Sequence, residues 1–140
     1  MQVGMIGLGR MGANMAERLR RAGHRVVGMD PEADGADVTT LAELVAALDA
    51  PDQPRVAWSM VPAGDVTAAT VAELAERLAP GDVVVDGGNA NFRAALARAE
   101  ALAARGLGVV DRGTSGGVWG RDAGHALMVG GADEHVAAVA

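Results

Sequence analysis

The first thirty residues constrain the fold of this chain more than any other stretch. Residues 2–6 predict a strand, residues 7–12 form a glycine-rich turn with the pattern G-x-G-x-x-G, and a helix then leads to a second strand that ends at Asp30. Alone, this pattern is weak evidence in a chain with 20 glycines. Here it follows a strand, opens a helix and lies in a βαβ unit that ends in an acidic residue. The whole context therefore favours a dinucleotide site over a glycine-rich turn that binds nothing.

Each part of this unit has a physical role in binding a dinucleotide. Gly7 permits the tight turn, Gly9 lets the backbone approach a pyrophosphate, and Gly12 lets the helix pack closely on the strand. The free N–H groups and the positive end of the helix dipole favour the phosphates. Asp30 follows Gly12 at close to the spacing of about 20 residues expected for a carboxylate that binds a ribose 2′-OH. The remaining turn residues assigned to the cofactor are Leu8, Arg10 and Met11.

Length and composition argue against several classes of function. A chain of 140 residues, half of them hydrophobic, fits one compact domain with a sizeable core. The net charge of −6 argues against a nucleic-acid partner, which usually meets a basic patch. There are no cysteines, and His24, His125 and His135 show no metal-ligand spacing, so no metal site is expected. No secretory leader or membrane-length apolar run is present, so we expect a cytoplasmic protein without a membrane partner.

The set of candidate acid and base residues is narrow. All 12 basic residues are arginines, and the sequence contains neither lysine nor tyrosine. Two common general acid and base side chains are therefore missing. A histidine in a helix-to-strand turn is more often structural than catalytic, and we interpret His24 in that way.

Hydrophobic periodicity divides the rest of the chain into alternating helices and strands. A stripe at helical spacing follows the glycine turn and ends at Gly23, which we expect to form a left-handed cap. Residues 31–40 are acidic and lack periodicity, so this crossover is expected to be irregular. A short second helix is predicted over residues 41–48. A longer third helix, capped by Asp65 or Thr67, follows it, and a fourth helix follows the strand over residues 82–86. The apolar positions of these four helices are Met11, Met15, Leu19 and Ala22; Leu41, Leu44, Val45 and Leu48; Val71, Leu74, Ala75 and Leu78; and Phe92, Leu96, Ala99 and Ala103.

Four further strands are predicted between and after these helices. They cover residues 55–61, 82–86, 107–111 and 126–129. The first two are apolar enough to be covered on both faces, as strands of parallel sheets are. The last strand is joined to its predecessor by a glycine-rich stretch without a crossover helix, so it is expected to run antiparallel. A final helix begins near residue 132.

Strands that alternate with helices predict an α/β fold of the Rossmann type. This is a doubly wound, mostly parallel sheet with helices on both faces, here with an antiparallel last strand. In such sheets, ligands bind beyond the carboxyl ends of the strands. Glycine-rich or polar turns lie on that edge at residues 7–12, 30, 61–64, 87–91 and 113–117. We expect them to converge on one crevice, which indicates a binding site rather than a structural protein.

The sum of these motifs resembles the 6-phosphogluconate dehydrogenases of the β-hydroxyacid dehydrogenase superfamily. Five stretches that span most of the chain carry the resemblance: residues 5–15 (MIGLGRMGANM), 22–24 (AGH), 60–64 (MVPAG), 86–89 (DGGN) and 113–120 (GTSGGVWG). The first is shared across the superfamily, whereas the last two are specific. Hydroxyisobutyrate-type members are expected to show Asp-x-Ser-Thr and Pro-Val-Ser-Gly-Gly at those two places, and this sequence shows neither.

The resemblance implies oxidative decarboxylation of 6-phosphogluconate, a sugar-acid phosphate, to ribulose 5-phosphate, with hydride passed to a nicotinamide cofactor. By motif match, Asn89 would contact both the substrate and the nicotinamide ribose. Ser115, Gly116 and Gly117 would bind the sugar acid, since a hydroxyl and exposed backbone N–H groups suit a carboxylate. The alternative interpretation of that segment is a flexible turn without a binding role. The stretch assigned to the cofactor after the third strand comprises Val61, Pro62 and Ala63.

The segment after the second strand bears on cofactor choice. NADP-dependent members of the family usually carry Asn-Arg-Thr there, and the arginine meets the 2′-phosphate. This chain has Asp30, Pro31 and Glu32 instead. Because an acidic pair repels a phosphate and Asp30 can accept from a free 2′-OH, we predict NAD in preference to NADP.

The resemblance also implies catalytic residues that this chain lacks. In the family, the general base is a lysine and the general acid a glutamate, both on a helix beyond the cofactor domain. We therefore interpret residues 1–140 as a dinucleotide-binding Rossmann domain that ends before an all-helical C-terminal domain. Such a domain would be inactive by itself and part of a homo-oligomer at full length. Two alternatives stay open: a dehydrogenase for a small β-hydroxyacid such as 3-hydroxyisobutyrate, and a dinucleotide-binding module without catalytic activity.

Overall fold

One six-stranded sheet organises the protein. The computed structural model describes residues 1–49, 51–88, 91–115, 124 and 126–139, with the backbone alone of residue 115. The strands are β1 (Gln2–Ile6), β2 (Arg25–Met29), β3 (Val56–Ser59), β4 (Val83–Asp86), β5 (Gly108–Ser115) and β6 (Ala126–Gly131). Their order in the sheet is β2-β1-β3-β4-β5-β6. β1 to β5 are parallel and β6 is antiparallel to β5, which confirms the predicted Rossmann-type fold and its last strand.

The described residues form five helices. Four of them alternate with the parallel strands, and the fifth follows β6. They are α1 (Arg10–Arg21), α2 (Leu41–Ala47), α3 (Asp65–Arg77), α4 (Phe92–Ala103) and α5 (Asp133–Val139). Gly23 follows α1 with a φ of +89°, which confirms the predicted left-handed cap. The crossover over residues 31–40 is irregular, with an isolated bridge between Met29 and Val38. None of the described helices is long and apolar enough to cross a membrane.

Two apolar layers cover the two faces of the sheet. Successive side chains of a strand point to opposite faces, so the fully buried Val84 and Val85 belong to different layers. One layer lies beneath α2, α3 and α4 and contains Leu74. The other lies beneath α1 and α5 and contains Met15 and Trp58. Covering both faces explains why these strands have continuous apolar runs rather than alternating ones.

Three predicted strand ends are wrong, and one of them is that of β6, which was expected to end at Val129 but continues to Gly131. β3 was expected over residues 55–61 but ends at Ser59, because the chain turns away from the sheet before Pro62, which has no N–H to donate. β5 was expected to end at Asp111 but continues to Ser115. Its extra residues pair with β6 in antiparallel register, which provides partners for their backbone N–H and C=O groups.

The start of α3 differs from the prediction. Its N-cap residue is Gly64, which has a φ of +102° and no side chain with which to cap the helix. The expected capping by Asp65 or Thr67 is wrong, because Asp65 is already the first helical residue. Thr67 is fully buried, and its hydroxyl donates instead to the carbonyl oxygen of Pro62 at 2.8 Å. Thr67 therefore holds the turn that precedes the helix rather than the N–H groups of the helix itself.

A capping box that was not predicted begins α2. Thr40 Oγ1 accepts from the N–H of Glu43 at 3.2 Å, and Glu43 Oε2 accepts from the N–H of Thr40 at 3.0 Å. Hydrogen bonds from the Thr40 hydroxyl and from neighbouring backbone N–H groups lower the pKa of the Glu43 carboxyl. This reciprocal pair fixes the point at which the irregular crossover becomes helical.

The apolar face predicted for α4 is largely exposed. Phe92 is 71% exposed and Leu96 48% exposed, whereas Leu102 is the helical residue that is fully packed into the core. The side chains of β6 described next to this region, Leu127, Met128 and Val129, are also exposed. The predicted apolar face is therefore wrong in part: Ala99 is partly buried, but Ala103 is exposed and the helix packs through Leu102 instead.

Candidate functional site

A crevice opens at the carboxyl edge of the parallel strands. Its volume is about 970 Å³. It lies where the chain order reverses from β2-β1 to β3-β4, which is the usual binding position in open α/β sheets. Described residues from all five predicted turns line it: Gly7, Gly9, Met11, Asp30, Val61, Pro62, Ala63, Gly87, Gly88 and Thr114. Residues outside those turns, among them Glu32, Met60 and Arg112, line it as well. The predicted convergence of these turns is therefore confirmed for the described residues.

The glycine turn has the shape that a close ligand requires. Gly7 adopts a φ of +86°, which favours glycine over residues with side chains. A Cβ on Gly12 would lie 2.0 Å from the Gly7 carbonyl oxygen, so a larger residue would push α1 away from β1. Around the Cβ position of Gly9, by contrast, no described atom lies within 4 Å. The turn is therefore closed on its protein side and open on its ligand side.

The start of α1 faces the crevice without a capping side chain. Gly9 is its N-cap residue, and no acidic residue lies in its first turn. The first N–H groups of a helix have no partners within the helix, and the helix dipole adds partial positive charge there. These groups are consequently free to donate to an anionic group such as a phosphate.

Asp30 connects the tip of β2 to the glycine turn. Its Oδ2 accepts from the N–H of Leu8 at 2.8 Å. Its Oδ1 accepts from the N–H groups of Glu32 at 2.9 Å and Ala33 at 3.2 Å. These backbone hydrogen bonds, that from Glu32 foremost, lower the pKa of the Asp30 carboxyl, so it is ionised at neutral pH. A carboxylate accepts about four hydrogen bonds, which leaves capacity for a ligand hydroxyl.

The turn after β4 is built around a buried ion pair. Asp86 Oδ2 accepts from Arg98 Nη2 at 2.7 Å, and Asp86 Oδ1 accepts from the N–H of Gly88 at 3.0 Å. The Asp86 and Arg98 side chains are 8% and 17% exposed. A Cβ on Gly87 would lie 2.5 Å from Met60 Sδ and 2.7 Å from the Ser59 carbonyl oxygen, so the strand end has room only for glycine. α4 thereby fixes the start of the segment that leads to residue 89.

Arg112 is the site residue that sequence reasoning missed. It lies on β5, is 2% exposed, and lines the crevice together with Thr114. Burial lowers the pKa of its guanidinium to about 10, so the group is charged at neutral pH. A signal existed in the sequence: Arg112 follows Val110 by two positions, which places both on the same face if the strand continues. That signal was lost because the predicted strand ended at Asp111.

Several predicted site residues fall outside the described residues. These are Asn89, Gly116 and Gly117, and the same holds for the side chain of Ser115. The backbone of Ser115 ends β5, one residue after Thr114, which lines the crevice. Arg10 is exposed at the first position of α1, and Met11 lines the crevice. Within the described residues, no three His, Asp or Glu side chains form a cluster suited to a metal ion.

The chain matches known proteins over nearly its whole length. A family model described as the NAD binding domain of 6-phosphogluconate dehydrogenase matches residues 2–140. The NAD(+)-dependent decarboxylating 6-phosphogluconate dehydrogenase of Haloferax volcanii is 46% identical, over 94% of this chain and 45% of that protein. The decarboxylating 6-phosphogluconate dehydrogenase of Staphylococcus aureus (strain N315) is 34% identical, over 95% of this chain and 31% of that protein. The chain thus spans less than half the length of these relatives.

Solved structures of related dehydrogenases share the fold. The 3-hydroxyisobutyrate dehydrogenase of Mycobacterium tuberculosis aligns with a TM-score of 0.84 at 29% identity, covering 97% of this chain and 48% of that one. The 6-phosphogluconate dehydrogenase of Plasmodium falciparum aligns with a TM-score of 0.85 at 22% identity, covering 99% of this chain and 32% of that one. The structures of that Plasmodium protein include complexes with NADP+ and with 6-phosphogluconate. At its level of identity the likeness concerns the fold alone.

Proposed function

Because the chain belongs to the family of NAD-binding domains of 6-phosphogluconate dehydrogenases, we propose that it is the cofactor-binding part of an oxidoreductase acting on 6-phosphogluconate. The reaction would be oxidative decarboxylation to ribulose 5-phosphate, with a nicotinamide cofactor accepting the hydride. The observation that carries the proposal is the crevice itself, in which the uncapped start of α1 meets the open side of Gly9. That arrangement suits a pyrophosphate, since backbone N–H groups can reach the ligand without steric hindrance.

The acidic tip of β2 favours NAD over NADP. Asp30 and Glu32 both line the crevice. The lowered pKa of Asp30 keeps it anionic at neutral pH, where the 2′-phosphate of NADP also carries negative charge. Like charges in one cleft repel each other, whereas a free 2′-OH can donate to the carboxylate. The glycine turn, Asp30 and the segment of Val61, Pro62 and Ala63 would hold the cofactor.

The substrate side of the site is proposed from the motif match. Asn89 would position both the substrate and the nicotinamide ribose, and Ser115, Gly116 and Gly117 would bind the sugar acid. The 140 residues contain no lysine, so the general base of the family and its partner acid would come from outside this chain. We accordingly expect the chain alone to bind NAD without turnover. The complete enzyme would be a cytoplasmic homo-oligomer that includes an all-helical C-terminal domain.

Calorimetric titration of the 140-residue chain with NAD and with NADP at one fixed salt concentration tests the cofactor assignment. We expect saturable heat with NAD and weaker binding of NADP. The E32Q variant provides a matched comparison. It removes one negative charge from the crevice but leaves intact the Asp30 carboxylate, which accepts a hydrogen bond from the N–H of Leu8. It should narrow the difference between the two cofactors. Tighter binding of NADP by the wild type would contradict the preference, and no heat with either cofactor would overturn the proposed function.

A second candidate is a dehydrogenase for a small β-hydroxyacid. The structural likeness to the 3-hydroxyisobutyrate dehydrogenase of Mycobacterium tuberculosis, at 29% identity, favours it. Against it stands the sequence Asp-Gly-Gly-Asn at residues 86–89, where that type of enzyme is expected to show Asp-x-Ser-Thr. Parallel binding measurements with 6-phosphogluconate and 3-hydroxyisobutyrate in the presence of NAD separate the two. A dinucleotide-binding module without catalytic function would bind neither acid.

A further inference from the structure

The Arg112 guanidinium is buried among weak or neutral partners. It lies 4.3 Å from the centroid of the Trp58 ring, on the layer covered by α1. Its Nη2 donates to Thr114 Oγ1 and to Met15 Sδ, the latter at 3.3 Å. Its Nη1 donates to Met60 Sδ at 3.5 Å. Its Nε has no acceptor in the described part of the chain.

This set of partners is unusual for a buried cation. Buried charges are normally paired with an opposite charge, because removing an ion from water is costly. None of the ion pairs among the described residues includes Arg112. Two of its acceptors are thioether sulfurs, which accept hydrogen bonds only weakly. The interaction with Trp58 offsets part of the cost, since a guanidinium over an indole face is attracted to it.

A second unpaired donor lies next to the first. The Trp58 Nε1 group is buried and has no acceptor among the described residues. Its position is 3.1 Å from where a Cβ of Gly87 would be, so the indole edge reaches the strand end that lines the crevice. Arg112 Nε and Trp58 Nε1 are therefore two buried donors for which the described part of the chain provides no acceptor. Such a cluster is complementary to an acceptor, above all an anionic one.

The position of the cluster separates it from the adenosine end of the crevice. Of the charged side chains that line the described crevice, Asp30 and Glu32 are acidic and Arg112 is the single cation. The acidic pair follows β2, and Arg112 lies on β5, four strand spacings away in the sheet. At a spacing of about 4.8 Å, this is about 19 Å. Arg112 is also three residues before Ser115, at the end assigned to the substrate.

We propose that Arg112 is the cationic anchor of the substrate end of the crevice, donating to an oxyanion of the bound sugar acid, either its carboxylate or its phosphate. The Met60 thioether occupies one donor of the guanidinium until the ligand arrives, and an unbranched methionine side chain is readily rearranged. Met60 itself lines the crevice, so its displacement opens a route to Nη1. This inference rests on the proposed function, because it assigns a residue to the substrate of that reaction.

Substitution of Arg112 by methionine, R112M, tests the anchor while keeping side-chain bulk. The 140-residue chain, saturated with NAD, is titrated calorimetrically with 6-phosphogluconate, gluconate and glucose 6-phosphate. We expect R112M to weaken binding of 6-phosphogluconate at least tenfold, which corresponds to about 1.4 kcal/mol. NAD affinity should stay within about twofold. The control R105M removes an exposed arginine beyond the end of α4 and should change neither affinity.

The three ligands identify the oxyanion. Gluconate carries the carboxylate without the phosphate, and glucose 6-phosphate carries the phosphate without the carboxylate. If R112M binds one of these two ligands more weakly than the wild type does, the charged group of that ligand is the one that Arg112 binds. Unchanged binding of 6-phosphogluconate by R112M would overturn the anchor, as would a wild type that binds NAD but none of the three ligands. A wild type that does not bind NAD would instead overturn the proposed function.

Thermal stability distinguishes an anchor from a structural arginine. Replacing an unpaired buried charge with an apolar side chain is often neutral or stabilising, so R112M should melt at or above the wild-type temperature. A structural role predicts the reverse: a lower melting temperature with unchanged affinity for the sugar acid. If R112M does not fold, R112K provides the measurement, because it keeps the charge but loses the planar fork. We expect R112K to bind 6-phosphogluconate more weakly than the wild type, and equal affinity would contradict the anchor.

Discussion

Single residues decide whether the glycine turn can receive a ligand. Gly9 and Gly12 belong to the same motif but meet different surroundings, since Gly9 is open and Gly12 abuts the Gly7 carbonyl. We expect G9A to change the free energy of unfolding by less than about 0.5 kcal/mol, because its φ of −58° suits alanine. It should nevertheless weaken NAD binding more than tenfold, because the methyl group would fill the open space in which we propose that the pyrophosphate binds. Urea unfolding and NAD titration measure the two effects.

G12A should show the opposite balance. Its methyl group would lie 2.0 Å from a backbone oxygen, so α1 must shift on β1. We expect a loss of about 1–3 kcal/mol in the free energy of unfolding, the usual cost of overpacking, together with weaker NAD binding. Equal stability of G9A and G12A in urea would contradict the packing role assigned to Gly12.

The carboxylate of Asp30 makes stability depend on pH. Because hydrogen bonds lower its pKa in the folded state, its contribution is fully present above the unfolded value of about 3.9 and is lost as pH falls through the folded pKa. D30N should therefore be less stable than the wild type at pH 7, and the difference should shrink below about pH 4. Urea unfolding at pH 7 and pH 3 measures it. The control D34N, at an exposed aspartate of the same segment, should show little difference at either pH.

At the scale of elements, a buried ion pair joins the end of β4 to α4. Removing Arg98 leaves the Asp86 carboxylate buried without its cation. We expect R98M to lower the free energy of unfolding by about 3 kcal/mol, and the double variant D86N/R98M to recover part of that loss. R93M, at an exposed arginine of the same helix, is the matched control. A double variant less stable than R98M would show that Asp86 acts mainly through Gly88.

The α4 helix shows what hydrophobic periodicity can and cannot predict. It predicted a helix after β4, and α4 spans Phe92–Ala103. It also predicted that Phe92 and Leu96 share a face, but the described residues leave both exposed. Periodicity identifies which side chains point in one direction. Whether those side chains are buried depends on segments that are distant in sequence, and no local pattern contains that information.

For the whole molecule, cofactor binding and folding should be linked. The crevice is assembled from the ends of β1 to β5, so the unfolded chain has no equivalent site. NAD at 100 times its dissociation constant should therefore add about 2.7 kcal/mol to the free energy of unfolding. For a domain of this size that corresponds to a rise of roughly 10 °C in melting temperature. Differential scanning calorimetry measures the shift. An equal shift with NADP would contradict the preference for NAD.

The sequence by itself determined the βαβ unit, the alternation of helices and strands, and the edge on which the site lies. These follow from local causes: side-chain periods of 3.6 and 2 residues, and the backbone freedom that Gly7 and Gly23 require. Most of the described residues that line the crevice near the glycine turn and Asp30 could be predicted for this reason. Each of its turns is encoded within a few residues of a strand end.

Only the tertiary structure decided the environment of Arg112 and the length of β5. Arg112 meets Met60 and Met15, which are 52 and 97 residues away in the chain. β5 continues because β6 returns alongside it. The buried hydroxyl of Thr67 likewise donates a hydrogen bond to the carbonyl oxygen of Pro62 in the preceding turn, and it does not cap the start of the helix. Backbone conformation is set by near neighbours, whereas the partner of a buried polar group depends on which distant segments the fold brings together.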